Sequence, residues 1–384
     1  MQTQIIHSLS EVSHEEWNAL IGSDFPFLEH AFLLALESSR SVGGRSGWSP
    51  RHLLLREQGR LVAACPLYGR TNSYGEYIFD WSWAEAYERN GFRYYPKLTS
   101  AIPYTPATLP KLLTHPEEDS GLRRRQLIEA SLEEMRRLRG SSLHFLFIPP
   151  EEIPDYEACG LFIRHSYQFH WKNQDYASFE DFLAALKRRR RKEILRERRQ
   201  VREQGLNVHR LTGEQITPEL GSLFYGYYVD TIDRKWGQAY LTPEFFETVF
   251  RTLRDQIVLV LAEHEGQWVA GALNYRKGDC LYGRYWGCLE QFRSLHFEVC
   301  YYQAIEYAIE EGLRLFEAGA QGPHKIQRGF LPERTYSAHW IEHPGFREAI
   351  QRFVEEERRQ ITAGFAEIQD SLPFASFASC SKGS

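Results

Sequence analysis

The sequence predicts an α/β (α+β) protein in which one unit, a mixed and mostly antiparallel sheet flanked by helices, is written twice. Three observations predict it. GRLVAACPLY (59–68) matches GQWVAGALNY (266–275) about 207 residues later, and YGEY (74–77) matches YGRY (282–285). Each copy is followed by an amphipathic helix and then another apolar strand. A strongly basic segment joins the copies.

Each copy opens on an apolar strand, HLLLRE (52–57) or IVLVLAE (257–263), and turns at a glycine, Gly59 or Gly266. It continues as two further strands rich in aromatic and β-branched residues. That pattern is an antiparallel meander. The helices that follow are expected over 122–138 and 297–311, and in the second of them Phe297, Tyr301, Ala304, Ile305 and Ala308 share one face. The closing strands are SSLHFLFI (141–148) and LRLFEAG (313–319). Between the halves, Leu183, Leu186, Ile194 and Val201 line one side of a helix expected over 180–204, which EQGLN ends at Gly205. A last helix is expected over 346–369. The expected domains are 1–160 and 161–371, with 372–384 a disordered tail of small and polar residues.

Composition narrows the function classes. An apolar share of 42% and 14% aromatics over 384 residues supply core for two or three domains. No leader sequence and no apolar run of ~18 residues is seen, so no membrane span is expected and the cytoplasm is the expected compartment. The six cysteines are scattered without CxxC pairing, and no HExxH, GxSxG or P-loop occurs, so no metal and no permanently bound cofactor are expected. Segment 187–202 carries ten basic and two acidic residues within a chain of net charge -5. A basic strip on an acidic body faces an anionic partner or serves as solvated surface.

At this point a resemblance enters. PFLEHAFLLALE (26–37), GWSPRHLLL (47–55), SYGEYIFDWSWAEAYERNGFRYYPKL (73–98), the basic helix and the stretch 296–341, from HFEVCYYQAIEY to YSAHWI, resemble the bacterial FemAB-like family of N-acyltransferases of the GNAT superfamily. The resemblance runs from about Trp17 to Ile341. It implies tandem GNAT-like domains and transfer of an acyl or aminoacyl group, from acyl-CoA or aminoacyl-tRNA as co-substrate, to a primary amine. The acceptor would be an amine-bearing small molecule or peptide in a cleft near or between the halves. In one place the sequence departs from the family: Leu109 and Lys111 flank Pro110 where a Gly-Pro-Arg element is usual. A leucine does not readily form the backbone nest for phosphate that glycine can.

Acyl transfer to an amine needs a proton acceptor and donors for the oxyanion. Glu317, at the end of a buried strand, is a candidate base, and so is Glu298, which with His296 opens the helix after the central strands. FEAGAQGPHKIQRGF (316–330) displays His324, Lys325 and Arg328, with Gln321, as candidate holders of an anionic group. Each has an ordinary alternative: a strand-edge carboxylate, a helix-dipole partner, a charged loop. Arg293, Tyr301, Gly319 and Gly322 are the positions expected to meet the donor. In the first half Glu76, Asp80 and Trp81 are candidates for recognising the acceptor, as is Tyr285 in the second, while Trp83 reads as core. The 187–202 helix would meet tRNA phosphates if tRNA is the donor. From a different class, the chain could be a non-catalytic binding module for cell-wall peptide or an anionic polymer.

Overall fold

The computed structural model describes residues 1–22, 24–234, 237, 239–319, 322–370 and 372–375. The chain forms two compact units interleaved in sequence: Met1–Tyr167 with Tyr240–Thr252 and Arg334–Thr362, and Gln168–Ala239 with Leu253–Glu333 and Ala363–Ser384. Each has sheet strands flanked by helices.

In the first unit His52–Glu57 and Arg60–Cys65 pair antiparallel across the expected turn, with Gln2–Ile6 and Leu113–Thr114 on the outer sides. A second sheet runs Trp48–Pro50, Tyr68–Arg70, Lys97–Ser100, Ser142–Ile148 and then Tyr336–Ile341; only the pair between Lys97–Ser100 and Ser142–Ile148 is parallel. Helix Ser120–Arg137 covers the core. Asp119 caps it by accepting from the Leu122 N–H at 3.0 Å. Leu127, Ile128 and Met135 on this helix meet Leu53, Val62 and Phe145 from the strands, and all are buried. The expected third strand of this meander is absent. YGEY lies in a turn, with Gly75 at φ +79° and Tyr77 at φ +61°, so the match to YGRY is one of sequence and not of structure.

The second unit keeps its meander. Leu206–Thr212, Ile257–His264, Gln267–Lys277 and Cys280–Cys288 pair antiparallel in order. Leu315–Glu317 then adds in parallel, and His170–Lys172, the end of strand Phe162–Lys172, pairs antiparallel with it. Val258, Leu281, Ile305, Phe316 and Phe330 join one buried cluster. Two expectations about helices need correction. The basic segment forms two helices, Phe179–Ala185 and Arg188–Glu203, because Leu186 and Lys187 are extended and pair with the chain's end. Phe374 bridges Leu186, the Lys187 N–H donates to the Pro373 carbonyl at 2.7 Å, and Ala375 N–H donates to Ala185 at 2.9 Å. The start of the expected disordered tail is therefore docked; Ser371 and 376–384 lie outside the described residues. The helix expected over 297–311 contains a π-turn at Glu298–Tyr302 between Leu295–Phe297 and Gln303–Glu310. The last helix runs Pro344–Asp370.

Helix Pro218–Asp233 lies tight against the Cys280–Cys288 strand. A Cβ on Gly287 would fall 2.0 Å from the Tyr227 carbonyl oxygen, which is backbone and cannot swing away. Gly287→Ala should therefore destabilise the chain by about 1–3 kcal/mol or more. Gly226→Ala, where nothing lies within 4 Å of the added carbon inside the same helix, should stabilise it by about 0.5–1 kcal/mol. Opposite shifts in urea midpoint would confirm that packing; equal shifts would refute it.

Candidate active site

The parallel pairing of Cys280–Tyr282 with Leu315–Glu317 stops at Tyr282 and Glu317, although the first strand continues to Cys288. The two strands part at Gly283 and Ala318. Small residues make the parting possible: a Cβ on Gly283 would lie 3.1 Å from the Phe316 ring and 3.5 Å from the Ala318 Cα. Gly319, at φ +79°, turns the chain out of the strand.

Glu317 ends the ladder, buried, with Tyr282 beside it on the parallel side and His170 opposite on the antiparallel side. Burial pushes the His170 imidazole down to about 3, helped by Lys172 and Lys325, so it is neutral at pH 7. Burial also raises the Tyr282 phenol far above its ordinary value, with Cys280 and Glu317 adding to the shift. Both neighbours of Glu317 are thus uncharged.

Lys325 folds back over this point. Its Nζ donates to the Ala318 carbonyl at 2.6 Å and the Gly319 carbonyl at 2.9 Å, and the side chain is buried. Burial lowers its pKa to about 8. His324 follows Gly322, where φ is +123° and a Cβ would strike the His324 ring at 2.6 Å. His324 Nε2 lies 3.0 Å from the Tyr301 hydroxyl, and burial, with Arg328 and Lys325, keeps the ring's pKa below its ordinary value. His296 packs against Tyr301, Trp286 and His324, with ring centroids 5.4, 5.0 and 6.1 Å away. The structure thus brings His296, Tyr301, His324 and Lys325 together. Gln321 lies outside the described residues.

Two candidates are committed elsewhere. Arg328, expected to hold a ligand's anion, donates to both Glu197 oxygens at 2.8 and 3.0 Å, to Tyr302 Oη at 3.0 Å and to the His324 carbonyl at 3.0 Å. Its guanidinium also stacks 3.4 Å from the Phe297 ring centroid. Arg328 therefore fixes the loop to the basic helix and presents no free charge. Glu298, expected as an alternative base, receives Arg198 Nε at 3.2 Å on each oxygen and Gln303 Nε2 at 2.7 Å. Its carboxylate is thus tied to Arg198 on the basic helix and to Gln303 on its own helix.

The remaining candidates scatter. The Arg293 side chain is exposed, and its backbone is tied to Gln204 by two bonds of 3.0 Å. Tyr285 packs on Tyr228 with centroids 5.4 Å apart. In the first unit Glu76 and Asp80 are not displayed: both are buried on Lys97, with Glu76 also receiving Arg70 Nε at 2.9 Å. Burial alone would raise the Asp80 carboxyl, but Lys97 and His144 hold it well below the usual carboxylate range. Trp81 is exposed against Tyr74, and Trp83 is core. Sequence reasoning missed Glu197, Tyr302 and His170. Glu197 was detectable: Ile194, Glu197 and Val201 share the helix face that points inward.

The family match covers residues 8–376 and carries the description peptidoglycan biosynthesis/recognition. The chain belongs to the FemAB-like family. In fold this FemAB-like chain is similar to FemX, at 12% identity and a TM-score of 0.54 over 91% of this chain and 100% of that one. It is similar also to L-PGS from Bacillus licheniformis, at 9% identity and 0.53 over 94% and 99%. No curated protein matches the chain in sequence.

Two outcomes follow from this geometry. Glu197→Ala leaves Arg328 buried and unpaired, which should cost about 3–5 kcal/mol. A urea midpoint within error of the parent would contradict that. Lys325 binds its proton less tightly folded, at about 8, than unfolded, at about 10.4. The unfolded chain therefore holds more protons between those values, and stability should rise with pH across that window. Lys325→Met should remove that rise, measured as the difference in unfolding free energy from the parent between pH 7.5 and 9.5.

Proposed function

We propose that this FemAB-like chain is an N-acyltransferase that delivers an acyl or aminoacyl group to a primary amine at the fork beside Gly283, with Glu317 as general base. Family membership and fold support an acyl- or aminoacyl-transferase in the broad sense. The observation that carries the finer reading is Glu317 itself. It is a buried carboxylate at the point where two parallel strands part, between neighbours that are both neutral. The acceptor nitrogen attacks the donor's carbonyl carbon and forms the C–N bond. Glu317 takes the amine proton, and the C–S or C–O bond to the leaving group breaks as that group is protonated. Lys325, which folds over the departing chain at Ala318 and Gly319, attracts the donor's anionic part, while His324 and His296, held against Tyr301, are within the same cluster for proton transfer.

The donor is acyl-CoA or aminoacyl-tRNA, and the basic helix favours the RNA. On Arg188–Glu203 the side chains of Arg188, Lys192, Arg196, Arg199 and Arg202 are exposed along one stripe, spanning about 21 Å of helix. Of these, Arg199 alone is in an ion pair among the described residues, with Glu203. Such a stripe suits successive phosphates and implies steep salt dependence. A peptidoglycan-precursor peptide, taken from the family's description, is the proposed acceptor. A second reading, a binding module without chemistry, is favoured by one observation: Arg328 and Glu298 are spent on internal pairs.

Purified protein should be assayed with acetyl-CoA, a longer acyl-CoA and mixed aminoacyl-tRNA at two salt concentrations. Glu317→Gln should lower turnover by about 10²-fold or more with the fold retained. Glu298→Gln should act mainly on stability. Full activity of Glu317→Gln would overturn the base assignment, and absence of turnover with every donor would favour the binding module.

A further inference from the structure

The first unit holds a cavity of about 700 Å³ that the reaction does not use. It is lined by His7, Ser8, Ser10, Glu37, Arg40 and Arg45 among others, with Gly43 and Gly44 on the wall. The volume lies within the range of small-molecule sites.

Its charged groups differ in whether the fold already engages them. The carboxylate on its wall is occupied: Glu37 accepts from the Leu9 N–H at 2.9 Å and lies 2.8 Å from His52 Nε2. Glu11, next to the lining serines, accepts from the His7 and Ser8 N–H groups at 2.7 and 2.9 Å. The two guanidiniums of the cavity, Arg40 and Arg45, have neither a hydrogen bond nor an ion pair among the described residues. Most arginines elsewhere in this unit are matched: Arg56 to Glu16, Arg123 to Glu57 and Glu118, Arg164 to Glu357. Among the described residues, Arg40 and Arg45 are thus arginines that the fold leaves without a bonded partner on one concave surface.

Two glycines lie on the wall between them. Gly43 and Gly44 both have positive φ, +94° and +53°, and an added Cβ would meet nothing within 4 Å at either. The space beside these two glycines is therefore open and not filled by packing. Two fork-shaped donor groups on one concave surface suit tetrahedral oxyanions.

We propose that this cavity binds the phosphate or pyrophosphate group of a small organic molecule through Arg40 and Arg45. The site belongs to the first unit alone and does not depend on the acyl-transfer reading. Its ligand is recognised by charge and hydrogen bonding, and the rest of the cavity volume admits an attached sugar- or nucleoside-sized moiety.

The test is calorimetric titration of the full chain with inorganic pyrophosphate and with a nucleoside diphosphate, in low and high salt. Saturable binding is expected, at least tenfold weaker in Arg40→Ala/Arg45→Ala and weakened by salt. Arg89→Ala/Arg352→Ala, two exposed arginines of the same unit outside the cavity, should bind as the parent does. Vesicles containing phosphatidylglycerol provide a further arm: capture through the same two arginines would assign the phosphate to a lipid headgroup. Both arginines are exposed, so circular dichroism should show the double variant folded, and Arg40→Lys/Arg45→Lys should restore part of the affinity. Absence of binding by pyrophosphate, nucleotide and vesicles, or equal binding by parent and alanine variant, would overturn the proposal.

Discussion

The second unit depends on where one parallel pairing stops. Cys280–Tyr282 and Leu315–Glu317 share three register positions, and then one strand goes on while the other turns away at Gly319. Beyond that point the continuing strand has backbone groups no longer paired on that side with its former partner, and such groups seek another partner. A fork of this kind is costly unless something fills it. Gly283 and Gly319 keep it narrow enough for backbone approach, and Lys325 closes one side by donating to two carbonyls of the departing chain. The only carboxylate in the three-residue strand, Glu317, sits at its last position. Packing, backbone satisfaction and chemistry thus meet at one residue.

Around this fork the charges are largely cancelled. Arg328 is neutralised by Glu197 and Glu298 by Arg198, and both pairs tie the helix after the central strands or the loop that follows to the basic helix Arg188–Glu203. That helix therefore has two faces with different work. Its inner face gives Ile194, Glu197 and Val201 to the core, and its outer stripe keeps its charge in water. Buried pairs contribute little net stability against a well-packed apolar alternative, but losing one partner is expensive. Their effect is to fix the turn Pro323–Arg328, which carries His324 and Lys325.

The fold was largely legible because it rests on local signals. Alternating and continuous apolar runs marked the meander of the second unit, helical spacing marked Ser120–Arg137 and Pro344–Asp370, and the repeat announced two units. The failures were those where a distant segment decides. YGEY resembles YGRY, yet in the first unit Gly75 and Tyr77 adopt positive φ and the segment is a turn. The basic helix is interrupted at Leu186 because Phe374 pairs there, nearly 190 residues away, and no local feature at Leu186 announces a break. The π-turn at Glu298–Tyr302 does not show in a 3.6-residue pattern either. For the site, sequence spacing placed Glu317, His324 and Lys325 near one another because they share a short stretch. It could not see that Arg328 was already answered by Glu197, 131 residues earlier.

The same blindness operated in the first unit, where two acids among tryptophans read as a surface for an amine. Glu76, Asp80 and Lys97 are instead the centre of a buried polar network that continues through Tyr94 to His144 and His339. Lys97 keeps its charge there: burial alone would lower its pKa, but Asp80 and Glu76 raise it above the ordinary value. Arg70, also fully buried, donates to Glu76 and to the Tyr74 carbonyl and stacks 3.5 Å from the Trp48 ring centroid. These bonds hold the 73–80 segment from beneath and leave Tyr74, Phe79 and Trp81 exposed above it. An acid-rich loop that reads as recognition chemistry is thus, in its acids, the foundation of the loop. Whatever meets that surface meets its aromatic rings.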